Sequence, residues 1–423
     1  MARASDPVLA RQAAAGIVQR LRAAGHVAYF AGGCVRDELL GLRPTDFDVA
    51  TDASPPRVRD LFARTAEVGA AFGVVLVHEG PGLAVEVATF RSDGPYTDAR
   101  RPDSVRFSSP EEDARRRDFT INALFLDPAL APGAPGRIID FVGGQADLSA
   151  RIVRAVGDPD ARLAEDHLRA LRAVRFAARL NFEIEPRTAA AITRHASELR
   201  GVSRERIGDE VRRMLAHESR ADVIRLIEHL GLDGPVLNEP PRGPSGGGSA
   251  MVALLPARPL QLGTVLSAWC IKRMDVADSG LFAPKIRDIR SKWRAALCLS
   301  NDEATEFSDV LEIHAGLVQK WEGMGVAQRK RLGARAMFAE TLVLLEAGSS
   351  ELAERITRDI KELESDGIGI RPAPLVTGED LIAIGLLPGP QFKRILEQVT
   401  DAQLEGRVRD KAQAMELALS LSV

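Results

Sequence analysis

The sequence predicts an α+β chain, with a mixed sheet in the N-terminal third and helices in the rest. Three observations predict it. Short apolar runs alternate with turn residues from Val27 to about Asp147, the apolar period becomes helical after Arg162, and no strand pattern returns beyond that point. The chain has 423 residues, 45% of them hydrophobic, enough for roughly two to four domains with real cores.

Taken in order, Val27–Ala31, Val74–Val77, Ala84–Phe90 and Ile138–Val142 read as strands, four or five in all with a few helices between them. Gly32-Gly33 ends the first, and Val35–Leu40 opens a helix. Ile138–Gly144 reads as a strand ending in a Gly-Gly hinge. Leu168, Leu171, Val174 and Phe176 then rise among arginines at helical spacing. Asn238–Ala250, NEPPRGPSGGGSA, holds too much Gly, Pro and Ser for regular structure and reads as a linker or loop. Helical windows follow at Leu262–Arg273, Arg287–Leu299, Glu303–Trp321, Gln328–Leu345 and Glu351–Glu364, and a distinct tail begins near Pro374. The expected domains are a head at 1–150, a helical neck at 151–235, a linker at 236–250, a helical body at 251–370 and a helical tail at 371–423.

Composition removes several function classes. The 56 basic and 59 acidic residues leave a net charge of −3, so a polyanionic partner needs a local basic patch. Three widely spaced cysteines exclude a disulfide scaffold and a cysteine-rich zinc module. No apolar run reaches the length of about 18–20 residues that a membrane span needs, and Met1–Leu21 carries charges where a secretory leader would be apolar. A cytoplasmic location, with no membrane contact, is expected.

Chemistry concentrates in three segments. Gly32-Gly33 before a helix lets the backbone approach an anion, and Arg36 adds a fixed positive charge, which together make a phosphate cradle. In Asp46-Phe47-Asp48-Val49-Ala50, a strand would put both aspartates on one face and Phe47 and Val49 in the core. Two carboxylates so placed repel unless a cation sits between them, and their hard oxygens suit Mg²⁺, which completes its shell with water and substrate phosphate. Glu86 lies in an apolar strand, as a third carboxylate or as the partner of a core arginine. Arg115–Ala123, RRRDFTINA, offers groups for phosphate and ribose, or a helix cap at Asp118 or Thr120. Finally, Asp166, Arg169, Arg172 and Arg175 recur every three residues, predicting one helical stripe in which Arg172 and Arg175 lack nearby acidic partners and so await an anionic ligand. His167 reads as a helix-surface residue.

The set GG-x-VRD, D-x-D, RRDFTINA and EDxxRxxR, in this order across Tyr29–Phe176, resembles the catalytic and neck segments of class II tRNA nucleotidyltransferases, the CCA-adding enzymes, and of the related bacterial poly(A) polymerases. Arg204–Glu210 is similar to the last motif of that family, and Pro374–Gly406 to its tRNA-binding end. The resemblance is faint over about 251–370, and the Gly-rich insertion Gly243–Ser249 departs from it. It implies a small polymerase β-like nucleotidyltransferase head that adds C, C and A to the tRNA 3′ end from CTP and ATP with Mg²⁺. Gly33 and Arg36 would bind the triphosphate, Asp46 and Asp48 the metal, and Arg117 the nucleotide. Asp166 and Arg169 would read the base, and Arg172 and Arg175 would assist with the base or the phosphates. An acceptor beside a donor matches the amino group and ring nitrogen of cytosine and adenine and opposes uracil and guanine.

Partners beyond tRNA, bound through its 3′ end and acceptor arm, are not implied. Rival readings are an A-only enzyme, a poly(A) polymerase and a non-catalytic RNA-binding protein. Phe72-Gly73 resembles the CCA-adding form more than the polymerase form, the intact stretch around Asp98–Arg101 argues against a CC-only enzyme, and both aspartates of D-x-D argue against lost catalysis.

Overall fold

The structure is a computed structural model that describes residues 6–67, 73–80, 82–96, 102–128, 136–243, 247–273 and 283–422. The chain folds as two compact units. The first holds Met1–Glu210 and Leu226–Gly243, and the second holds Val211–Arg225 and Pro244–Val423.

In the first unit, helix α1 (Pro7–Ala23) precedes strand β1 (Ala28–Ala31), helix α2 (Gly33–Leu39), strand β2 (Asp48–Thr51) and helix α3 (Pro55–Leu61). Strands β3 (Thr65–Glu67), β4 (Val74–Gly80) and β5 (Leu83–Thr89) follow, then a small hairpin of β6 (Arg91–Asp93) and β7 (Val105–Phe107). Helix α4 (Pro110–Arg115), strands β8 (Phe125–Asp127) and β9 (Arg137–Ile139) and helix α5 (Gly144–Ala150) complete the head. The main sheet has the order β3-β4-β5-β2-β1-β8-β9. Only β2 and β5 run parallel; the other neighbours are antiparallel. The sheet is therefore mixed, as expected, but with seven strands instead of four or five, because three-residue strands carry too few residues to show an alternation.

The pleat explains the layers. Phe30 of β1 meets Phe47 edge-on at 5.4 Å and carries Arg11 of α1 over its ring, so this face lies under α1, whose Ile17, Val18 and Leu21 are fully buried. Ala31 and Ala50 point to the other face, into a cluster with Phe90, Ala123 and Phe125. Asp48 is the register partner of Ala31 and shares that second face, which positions the site.

Helices α6 (Pro159–Glu165), α7 (Arg169–Leu180) and α8 (Pro186–His195) follow, and α9 (Arg204–Leu215) carries the last motif. A two-residue parallel bridge joins Ile152–Val153 to Glu183–Ile184, a strand contact inside the stretch read as wholly helical.

The second unit is helical where described. Helices span Leu262–Arg273, Ala283–Leu297, Asn301–Lys320, Val326–Gly333, Phe338–Gly348 and Ser350–Glu364, so the expected Gln328–Leu345 helix is two. Trp293 stacks on Phe307 at 5.3 Å and meets Trp269 edge-on at 5.6 Å, and Ser300 with Glu303 forms a capping box. The end of the chain packs Val376, Leu381, Ile395 and Val399 with Ala414 and Ala418 into a cluster of its own. Within the expected linker, Gly248–Ala253 is helical and residues 244–246 lie outside the described residues.

Candidate active site

A cleft of about 610 Å³ opens in the first unit, and all nine residues nominated from the sequence line it: Gly33, Arg36, Asp46, Asp48, Arg117, Asp166, Arg169, Arg172 and Arg175. Its lining holds eight arginines against five aspartates, a local excess of three positive charges in a chain whose net charge is −3. This is the basic patch that a polyanion needs.

The glycines differ in what holds them. Gly32 sits at φ 74°, ψ −125°, and a Cβ there would meet Arg117 Nη1 at 3.0 Å, so the fold itself demands glycine. At Gly33 a Cβ would meet only Arg36 Nη2 at 3.7 Å, an ordinary contact. What glycine leaves open at that position is the cleft.

Arg36 is buried, and each of its guanidinium nitrogens has a partner while Nη1 and Nη2 keep a second N–H. It pairs with Asp37 at 2.6 Å and donates from Nη1 to Asn122 Oδ1 at 2.6 Å. Asn122 in turn donates to Asp118 Oδ1 at 3.1 Å, and Asp118 Oδ2 accepts from Arg172 Nε and Nη2 at 2.9 and 2.6 Å. Burial would raise the Asp118 carboxyl, but Arg172 overcomes it and holds the group at about 2. Arg36, Arg172 and Arg175 also surround the Phe176 ring at 5.1, 5.6 and 4.8 Å from its centroid. The negative ring face offsets part of the repulsion among three guanidinium groups, so the cluster stands preorganised for an anion.

Arg172 and Arg175 thus have partners after all, in Asp118 and, at 2.7 Å, Glu210. Both lie more than 30 residues away in sequence, which is why no local pattern showed them. The capping expectation also changes. Asp118 binds Arg172, and Thr120 donates to Asp147 at 2.7 Å, while residues 120–122 form only a single 3₁₀ turn. Asp113 holds Arg116 and Arg117 together at 2.6 and 2.9 Å, a role that sequence reasoning missed because an acid in EEDARRR reads as ordinary helix surface. Asp118 and Asn122, within the segment offered for phosphate and ribose, line the cleft, as do Phe176 and Arg206, which were given no role from the sequence.

At the carboxylate end, strand β2 begins at Asp48, so Asp46 sits in the extended segment leading into it. The alternation holds nonetheless, with Phe47 and Val49 buried and both aspartates open to the cleft. Glu86 takes the place on β5 next to Asp48, one residue before the Val49–Val87 pair. Burial first, then repulsion from Glu86 and Asp46, pushes the Asp48 carboxyl up to about 6, and Arg117 offsets this only in part. Cys34 lies behind, its thiol pushed up to about 12 by burial and donating to the Ala31 carbonyl. No group of three His, Cys, Asp or Glu side chains is assembled as a metal site among the described residues. Two crowded carboxylates fit a hard divalent cation that takes the rest of its shell from substrate.

At the opposite end the helical stripe is broken. Helix α7 starts at Arg169, and Asp166 sits in the preceding turn at φ −154°, where its Oδ1 accepts from Leu168 N at 3.0 Å. Its Oδ2 accepts from Arg206 Nη2 at 2.6 Å. Arg169 Nη1 pairs with Glu165 and donates to the Arg162 carbonyl at 2.7 Å; its Nε and Nη2 have no partner among the described residues. His167 shares this turn, mostly buried with Nδ1 3.3 Å from Glu198, and is not on a helix surface. Phe72 and the stretch Asp98–Arg101 lie outside the described residues.

Sequence models of the poly A polymerase head domain and of the probable RNA and SrmB-binding site of polymerase A match residues 28–154 and 181–240. A CCA-adding enzyme of Limosilactobacillus fermentum is 33% identical over 404 residues, 94% of either chain. The chain belongs to the CCA-adding enzyme family. A second relative of this family, from Geobacillus thermodenitrificans, is 46% identical over 223 residues, 52% of this chain and 53% of its own. The crystal structure of the Bacillus stearothermophilus CCA-adding enzyme in complex with CTP superposes with a TM-score of 0.73 at 29% identity, covering 99% of both chains. The Thermotoga maritima CCA-adding enzyme complexed with tRNA shares the fold at a TM-score of 0.67 and 21% identity, covering 99% of this chain and 97% of that one.

Proposed function

We propose that this enzyme adds C, C and A in turn to the 3′ end of tRNA, drawing on CTP and ATP and releasing pyrophosphate. The observation that carries this reading is that the D-x-D carboxylates, the arginine cluster around Phe176 and the Asp166–Arg169 pair all face one cleft. No nucleic-acid template is needed, since the protein itself presents the pattern that selects the base.

Asp46 and Asp48 would hold Mg²⁺, which when bound lowers the pKa of the attacking 3′-hydroxyl and neutralises charge on the leaving pyrophosphate. Gly33 admits the triphosphate, and Arg36, Arg117, Arg172 and Arg175 hold it. Their positions are fixed by Asn122, Asp113, Asp118 and Glu210 before substrate arrives. Asp166 accepts from the exocyclic amino group of cytosine or adenine. Arg206 and Leu168 N use two of about four lone-pair sites on that carboxylate, so it keeps capacity for the base. Arg169 donates to the ring nitrogen from its open Nε and Nη2 edge.

The tail at 371–423 would supply further tRNA-binding surface, as the neck at 151–235 supplies the nucleotide-selecting turn. No described helix is long and apolar enough to cross a membrane. A cytoplasmic location belongs to the proposal because the proposed substrate is tRNA. The test is the product sequence formed on tRNA transcripts ending before CCA and after CC, with each nucleotide offered alone and together. Ordered C, C, A addition supports the reading, and A addition to CC ends alone, or A-tailing of RNA without a tRNA fold, overturns it.

A further inference from the structure

Arg162 lies outside the cleft lining, yet every nitrogen of its guanidinium is engaged. Nε donates to the Val156 carbonyl at 3.3 Å, Nη2 to the Arg115 carbonyl at 3.0 Å, and Nη1 both to the Arg116 carbonyl at 3.1 Å and to Glu165 Oε2 at 2.8 Å. The same Glu165 oxygen pairs with Arg169 Nη1, which also donates to the backbone carbonyl of Arg162. We propose that Arg162 is a positioning residue for base choice: by locking Glu165 and its own carbonyl onto Arg169 Nη1, it aims the remaining Nε and Nη2 edge at the base. The inference rests on the reading of Arg169 as a base reader.

The geometry is a closed clasp. Arg115 and Arg116 end helix α4, where carbonyls lack intrahelical partners and a cation is favoured. That helix also carries Asp113, which grips Arg117 at 2.9 Å. Arg162 therefore ties the element that places Arg117 to the turn that places Arg169. Its side chain is 15% exposed, so water competes little for these bonds. A lysine has one nitrogen where arginine has a planar fork of five donors, so it keeps the charge but cannot span three carbonyls and a carboxylate together.

The experiment measures kcat/KM on the full chain for CTP and UTP with transcripts ending before CCA, and for ATP and GTP with transcripts ending in CC. Pyrophosphate inhibition and Tm are measured alongside. Variants are R162K and R162Q, with R169A as the reference, all assayed below their melting midpoints. Both Arg162 variants should lower the CTP-over-UTP and ATP-over-GTP ratios by about tenfold, with pyrophosphate inhibition within about twofold of wild type and no rescue by lysine. Ratios unchanged in the Arg162 variants but lowered in R169A would overturn this inference alone. Unchanged ratios in R169A would overturn the base-reading assignment and this inference with it. A parallel fall for all four nucleotides and for pyrophosphate, or loss of the folded state in both variants, would make Arg162 a structural staple and likewise overturn it.

Discussion

The two ends of the cleft place their acids in opposite electrical circumstances. Asp48 faces Asp46 and Glu86, and its carboxyl is pushed up to about 6 by burial and by those neighbours. Asp166, by contrast, is matched to Arg206 at 2.6 Å, and Arg169 beside it is matched to Glu165. The first arrangement is short of positive charge, and on the proposed reading a divalent cation would complete it. The second is already balanced, so a base edge need only fill hydrogen-bond capacity left open by the protein. On the proposed reading, a balanced corner would meet cytosine and then adenine without a change of charge, whereas the carboxylate end would perform the same chemistry at each addition.

The largest expected effect comes from removing the acids that call for the cation. Asp46→Asn and Asp48→Asn should each lower single-turnover CTP addition by at least about 1,000-fold in Mg²⁺ while circular dichroism shows an intact fold. A variant with near-wild-type turnover would dissolve the distinction between the two ends.

Much of this comparison was legible in the sequence, and what was missed has a common cause. The alternation in Asp46–Val49 placed both carboxylates on one face because strand period is local. The Gly32-Gly33 turn was legible for the same reason, since helix α2 follows within a few residues. The counter-ions of Arg172, Arg175 and Asp166 were not, because Asp118, Glu210 and Arg206 come 54, 35 and 40 residues away and only the tertiary fold joins them. Reading Asp166 as part of α7 failed because three-residue spacing is shared by a helix and by the turn that caps it.

Between the two ends, the arginine cluster should prove a matter of stability as well as binding. Arg172→Ala leaves Asp118 buried without its counter-ion, at a cost of about 3–5 kcal/mol, read as a lower Tm. Asp118 is held below its ordinary value, so its contribution is present above the unfolded pKa near 3.8 and lost as pH falls through about 2. Wild-type stability should therefore drop between pH 4 and pH 2 by on the order of 2 kcal/mol from this group, and the Arg172→Ala enzyme should lack that step.

The glycine pair sharpens the contrast between fold and substrate. Gly32→Ala should destabilise by about 1–3 kcal/mol, from its positive φ and the 3.0 Å approach of Arg117. Gly33→Ala should melt like wild type and instead raise the KM for CTP and ATP by about tenfold, because only the ligand needs that space.

The smallest effect concerns pH at the carboxylate end. Asp48 sits above its unfolded value of 3.8, so the folded state binds its proton more tightly and loses that advantage as pH rises from 4 through about 6. Without divalent cations Asp48→Asn should therefore raise Tm at pH 7.5 and change little at pH 4. Both side chains line the open cleft, where water screens their charge despite the protein packed around them, so the gain should stay within about 1 kcal/mol, or about 2–4 °C. Mg²⁺ should stabilise the wild type more at pH 7.5 than at pH 5, seen in the same melting experiment.

The most direct test of base selection by the protein is the exchange Asp166→Arg with Arg169→Asp, measured as kcat/KM for all four nucleotides beside the single alanine variants. CTP and ATP use should collapse, UTP or GTP should gain relative to them by about one to two powers of ten, and pyrophosphate inhibition should persist. Alanine variants of Asp166 and Arg169 that lower only the overall rate, leaving the preference among the four nucleotides unchanged, would contradict the account.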